Sequence, residues 1–202
     1  MQIHARRILI KKLRSEFRSF FHFSGNHVVP QVAYASGVSV RTSRTSSTDG
    51  NKYPDYTASG SNNLFFGSGS PYFVIANLAL QSAHKDLALT FGVDPGMNAV
   101  FSDEDFPVMI SRNGTDWVTL PGCRFSEETG AAPEGKWALA SIYFSLPEPV
   151  SQLWLRFAPG VPSMYRIDDL TLRMADEDEA DMLVTVDWSD SKKITVSGTP
   201  IE

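Results

Sequence analysis

The sequence predicts an all-β fold, an antiparallel β-sandwich, and three observations carry that expectation. Short runs of alternating apolar and polar residues begin at Tyr72, turn-forming clusters separate them, and no comparable series of amphipathic helices follows residue 36. Leu87, Leu89, Phe91 and Val93 alternate with Ala88, Thr90 and Gly92; Ile142, Phe144 and Leu146 alternate with Ser141, Tyr143 and Ser145; Leu153, Leu155 and Phe157 alternate with Trp154 and Arg156. Successive side chains of a strand point to opposite faces, so each run has one face for a core and one for the surroundings.

Taken in order, residues 3–23 place Ile3, Ile10, Leu13, Phe17 and Phe20 at spacings that suit a short basic amphipathic helix. Such a helix would pack on the domain, lie outside it or rest on a membrane surface. Residues 36–70 are rich in Gly, Ser, Thr and Asn and read as surface connections around a short strand at Val38–Arg41. Tyr72–Leu78 reads as a strand, Val108 and Ile110 mark another, and Trp117–Leu120 its return. Between these last two, Asn113-Gly114 suggests a two-residue hairpin turn, because both central positions of a type I′ turn need positive φ. Residues 121–136 lack periodicity and read as a loop. After Arg173 the run Asp176-Glu177-Asp178-Glu179 reads as a solvated linker, with further strands at Met182–Trp188 and Lys192–Val196. The chain therefore divides into a basic segment at 1–29, a sandwich at 30–173 and an acidic linker with a C-terminal extension at 174–202.

Composition narrows the classes of function. The 202 residues are 42% hydrophobic, enough for one ordinary core, and a net charge of −5 argues against a nucleic-acid partner. Cys123 is the only cysteine, which rules out an intramolecular disulfide and a cysteine-rich zinc site. No apolar run approaches the roughly 18–20 residues of a membrane-spanning helix. The basic start resembles the opening of a signal peptide, but Ile8-Leu9-Ile10 is too short an apolar stretch for one. No nucleophile elbow, phosphate-binding loop, dinucleotide fingerprint or zinc-protease motif occurs.

The run Tyr165-Arg166-Ile167-Asp168-Asp169-Leu170-Thr171-Leu172 is a strand carrying two adjacent acids. Strict alternation puts Asp168 with Leu170 and Leu172, and Asp169 with Ile167 and Thr171, so one acid faces apolar company and needs a partner. This closing strand, together with Ala58-Ser59-Gly60-Ser61-Asn62-Asn63-Leu64-Phe65-Phe66 and Val108-Met109-Ile110-Ser111-Arg112-Asn113-Gly114-Thr115-Asp116-Trp117, resembles galactose-binding-like jelly-roll sandwiches over roughly residues 30–173. That group includes carbohydrate-binding modules and bacterial surface-protein domains. The resemblance implies a jelly-roll topology and, in its calcium-containing members, a structural ion held by the position of Asp168. Calcium takes six to eight oxygens, so Asn62 and Asn63 are named as further ligands. The alternative for Asp168 is satisfaction by backbone amides or by Arg166.

The outward residues Trp154, Tyr143 and Arg156 form a glycan-stacking platform if their strands are neighbours, and a covered apolar patch if they are not open to solvent. The expected function is a non-catalytic carbohydrate-binding module of a secreted or cell-surface bacterial protein, a monomeric domain whose partner is a glycan or cell-surface polysaccharide. A structural or adhesive module without sugar specificity is the alternative, and a hydrolase the third reading. Asp94, Asp103, Glu104 and Asp105 make a weaker cation candidate, as do His22 and His27, and Cys123 has no histidine near in sequence to act as its base.

Overall fold

The computed structural model describes residues 32–34, 37–44, 62–67, 69, 71–80, 84–96, 101–125, 136–160, 164–194 and 199–200. The basic segment expected to be helical and both histidines at 22 and 27 lie outside these residues. The strands are β1 (Val32–Tyr34), β2 (Val38–Arg41), β3 (Asn63–Phe66), β4 (Phe73–Ala79), β5 (Asp86–Asp94), β6 (Val108–Ser111) and β7 (Asp116–Thr119). They are followed by β8 (Ala138–Ser145), β9 (Gln152–Phe157), β10 (Arg166–Met174), β11 (Val184–Thr185), β12 (Lys192–Lys193) and β13 (Thr199–Pro200).

The strands form two sheets, ordered β12-β7-β6-β9-β4-β1-β13 and β11-β8-β5-β10-β3-β2. Within them the eight strands β3 to β10 pair as β8-β5-β10-β3 and β7-β6-β9-β4, and the chain changes sheet at every connection except the β6–β7 hairpin. That is the strand order of a jelly roll. Pairing is antiparallel throughout except for β11, which runs parallel to β8.

The alternating runs place their apolar members between the sheets. Leu87, Leu89, Phe91 and Val93 of β5 meet Ile142 and Phe144 of β8, Leu153, Leu155 and Phe157 of β9, and Ile167 and Leu170 of β10 in one continuous core. Aromatic rings fill one end: Phe106 lies 5.5 Å from Phe66 edge-on and 4.8 Å from Tyr165, and Phe91 lies 5.2 Å from Phe157. Each fully buried ring of this kind contributes roughly 1.5–3 kcal/mol of transfer free energy.

Three expectations change. The acidic run is no linker: Glu177–Met182 is a 3-10 turn with a capping box at Asp176, and Glu179 is buried against Arg173 and accepts the Asp176 amide at 2.7 Å. The extension beyond it lays β11 on the edge of one sheet and β12 on the same side of the other, while β13 pairs with β1. Arg112 fastens this edge by pairing with Glu148 and lying 5.4 Å over the Trp188 ring. The β6–β7 turn is also not the two-residue type, since only Gly114 has positive φ, at 77°. Asn113 instead uses its side-chain Oδ1 to accept from the Thr115 and Asp116 amides, both at 2.9 Å, which builds a wider loop.

The third change is on the closing strand. β10 shifts register against β5 between Asp168 and Thr171, and Asp169 takes a left-handed φ of 46°. This bulge resets the alternation, so Ile167, Leu170 and Leu172 all face the core. Asp168 opposes Gly92 and shares the outer face with Arg166, yet it is fully buried there. An inserted residue cannot be seen in a period-two pattern, which is why alternation put Asp168 on the wrong side.

Candidate functional site

The outer face of the seven-stranded sheet collects Trp154 of β9, Trp117 of β7 and Tyr72, which precedes β4. Trp154 of β9 opposes Ser111 of β6, and Arg156 opposes Met109 of β6 and Val74 of β4. Val74, Met109 and the buried Trp117 of β7 form a small second apolar cluster, against which Tyr72 and the half-buried Trp154 pack. Arg156 donates to the Met109 sulfur at 3.4 Å, and its guanidinium sits 5.3 Å from the centre of the Tyr72 ring. Burial draws the Arg156 guanidinium down from its ordinary value, with Tyr72 opposing the fall.

This face also carries unpaired polar atoms. Tyr72 Oη, Trp117 Nε1 and Arg156 Nε are all buried and have no hydrogen-bond partner among the described residues. Each such group costs about 1–3 kcal/mol, so three on one face are expensive unless something pairs with them. Gly114 permits the β6–β7 loop to close over the same face, because a Cβ there would come 3.2 Å from Trp154 Nε1. The surface can stack the apolar face of a sugar ring on Trp154 and Tyr72 while Arg156 donates to hydroxyls.

Tyr143 does not belong to it. Its strand β8 lies in the other sheet and its hydroxyl serves Glu179, so it is separated from Trp154 and Arg156, and Tyr72 stands beside Arg156 instead. Trp154 and Arg156 were legible from alternation on one strand. Tyr72 was read as the first residue of a strand but not as part of the platform, because only the pairing of β4 with β9 brings it beside Arg156.

The proposed metal ligands meet a different arrangement. Asn62, Asn63 and Asp168 are all buried, on β10 and at the start of β3. Asn63 Oδ1 accepts from Arg166 Nη1 at 3.0 Å, and its Nδ2 donates to the Ser43 carbonyl at 3.0 Å. The Arg166 guanidinium already occupies the Asn63 oxygen offered to calcium, and a second cation beside it would be repelled. Asp168 Oδ1 accepts the Asp169 amide at 2.9 Å. Among the described residues no group of three His, Cys, Asp or Glu side chains is placed to hold a metal.

Two acids of the acidic-loop candidate are engaged within the protein. Asp94 is fully buried and bonded to Arg44 and to the Gly96 amide, with Arg166 Nε 4.0 Å away, while Asp103 accepts the Cys123 amide at 2.7 Å. Burial pushes the Asp94 carboxyl up, against the pull of Gly96 and the two guanidiniums. Burial and the Asp103 carboxylate push the Cys123 thiol up as well, which suppresses the thiolate a nucleophile needs. No helix among the described residues is long and apolar enough to cross a membrane.

No family model matches the chain, and no curated protein matches it. Among solved structures it is similar to the CBM22-1–GH10 modules of endo-1,4-β-D-xylanase 10B from Clostridium thermocellum, complexed with xylohexaose, at 9% identity and a TM-score of 0.47 over 73% of this chain and 27% of that one. It is similar to the CBM22-1 xylan-binding domain of Xyn10C from Paenibacillus barcinonensis at 15% identity and a TM-score of 0.45, over 75% of this chain and 91% of that one. A third similar structure, TmCBM61 in complex with β-1,4-galactotriose, has 14% identity and a TM-score of 0.41 over 72% of this chain and 88% of that one. The fold assignment rests on the strand order itself.

Proposed function

We propose that this jelly-roll domain is a non-catalytic carbohydrate-binding module, and that Trp154, Tyr72 and Arg156 on the outer face of the seven-stranded sheet hold the glycan. The observation that carries the reading is the half-buried Trp154 indole beside Arg156 on one strand, with the Tyr72 ring 5.3 Å from the Arg156 guanidinium on the same sheet face. A sugar supplies both an apolar ring face for the aromatics and hydroxyls for the guanidinium. A non-catalytic role is supported by the suppressed Cys123 thiol and by the engagement of Asp94 with two arginines. Polysaccharide ligands carry an extracellular or cell-surface setting with them.

Affinity gel electrophoresis against a panel of neutral polysaccharides, with xylohexaose and β-1,4-galactotriose as soluble competitors, tests this reading. The intact chain is retarded by at least one member, and Trp154→Ala and Tyr72→Ala each lose the retardation. No retention of the intact chain, or equal retention of Trp154→Ala, overturns the proposal in favour of a structural or adhesive module.

A further inference from the structure

The outer face of the other sheet concentrates positive charge on an acidic protein. Arg41 of β2 opposes Asn63 of β3, and Arg166 of β10 opposes Phe65, so these side chains share one face. The Arg41 and Arg166 guanidiniums lie 5.2 and 4.6 Å from the centre of the same Phe65 ring. Arg44, just past β2, reaches Asp94 at 3.2 Å. Three guanidiniums thus converge in a chain whose net charge is −5.

Two buried acids, Asp94 and Asp168, lie on this face. Asp94 binds Arg44 and lies within reach of Arg166, and Asn63 takes another Arg166 N–H. Arg41 is exposed, and among the described residues no carboxylate pairs with it. Arg166 Nε is buried and has no hydrogen-bond partner among the described residues. Burial draws the Arg166 guanidinium down from its ordinary value, Asp94 opposes that, and repulsion from Arg44 and Arg41 adds to the fall. Like charges held together at this cost are explained by an anion that arrives from outside. The Phe65 ring and Asn63 hold two of the guanidiniums in place beforehand, which lowers the ordering cost of binding.

We propose that Arg41, Arg44 and Arg166 form a second binding site, on the opposite outer face from Trp154, for a carboxylate or sulfate group carried on an acidic polysaccharide. The polysaccharide class rests on the carbohydrate-binding reading above; the requirement for an anion stands on the arginines alone. Arginine forks match planar carboxylate and sulfate oxygens with paired N–H donors.

Gels containing polygalacturonate, dextran sulfate or a neutral galactan test the site with the full chain at 50 and 200 mM salt. Arg41 is the residue to change, because it is exposed; Arg41→Gln should weaken retention by an acidic polymer roughly tenfold, and Arg41→Glu by more. Thermal melts confirm that both variants fold. Retention by polygalacturonate alone assigns the carboxylate, and by dextran sulfate alone the sulfate. No retention of the wild type by either acidic polymer, or retention unchanged in Arg41→Glu, overturns the proposal. So does equal affinity for an oligothymidylate of matched charge, which would reduce the site to general polyanion attraction. The galactan gel reports separately on the Trp154 face: losing its retention while the acidic gels still retain the chain removes that reading and leaves this one.

Discussion

Arg166 Nη1 donates to Asn63 Oδ1 at 3.0 Å, joining β10 to β3 across 103 residues of sequence. This contact occupies the corner where an acidic strand and an Asn pair suggested a metal. It sits beside Asp94, fully buried, so removing the guanidinium leaves a carboxylate with less compensation. Arg166→Met is expected to destabilise the domain by about 3 kcal/mol in denaturant unfolding. Combining it with Asp94→Asn should cost less than the sum of the two, because each variant removes the other's partner.

Chelator should leave the melting temperature unchanged. The oxygen of Asn63 is already bonded to a cationic side chain, so calcium is expected to gain no stronger hold on the folded state at this corner. A rise in melting temperature with added calcium, reversed by chelator, would contradict this.

Glu179 ties the C-terminal extension to β10, and hydrogen bonds from Arg173 hold its carboxyl below the ordinary value of 4.5, against the effect of burial. Its stabilisation is therefore present above pH 4.5 and is lost as pH falls through the lower folded value. Glu179→Gln is expected to lower stability by about 1.5 kcal/mol at neutral pH and to flatten the acid limb of a stability profile.

Tyr143→Phe should leave polysaccharide retention at the wild-type level, since its strand lies in the sheet opposite Trp154. The variant loses the hydroxyl that serves Glu179 and is expected to cost about 1 kcal/mol in unfolding experiments. Loss of glycan retention in this variant would place the platform on the wrong sheet.

At the bulge, Asp169 holds a φ of 46° that β-branched side chains resist. Asp169→Val should be less stable than Asp169→Gly by about 1–2 kcal/mol, because both lose the carboxylate and only glycine adopts this backbone freely. Equal midpoints for the two would show that the bulge can relax.

The sequence by itself determined the class of fold and most of the strands. Leu87 to Val93, Ile142 to Phe144 and Leu153 to Phe157 alternate cleanly because each lies between a packed interior and an outer face, and that constraint is local. The same count oriented Trp154 and Arg156 outward. Only the tertiary structure decided which outward residues meet. Tyr143 and Trp154 have the same pattern but opposite sheets, Tyr72 reaches Arg156 through strand pairing, and the bulge at Asp169 turned Asp168 from the core side to the arginine side. Alternation reports which face of its own strand a side chain occupies, whereas sheet order and a single inserted residue depend on contacts between strands far apart in sequence.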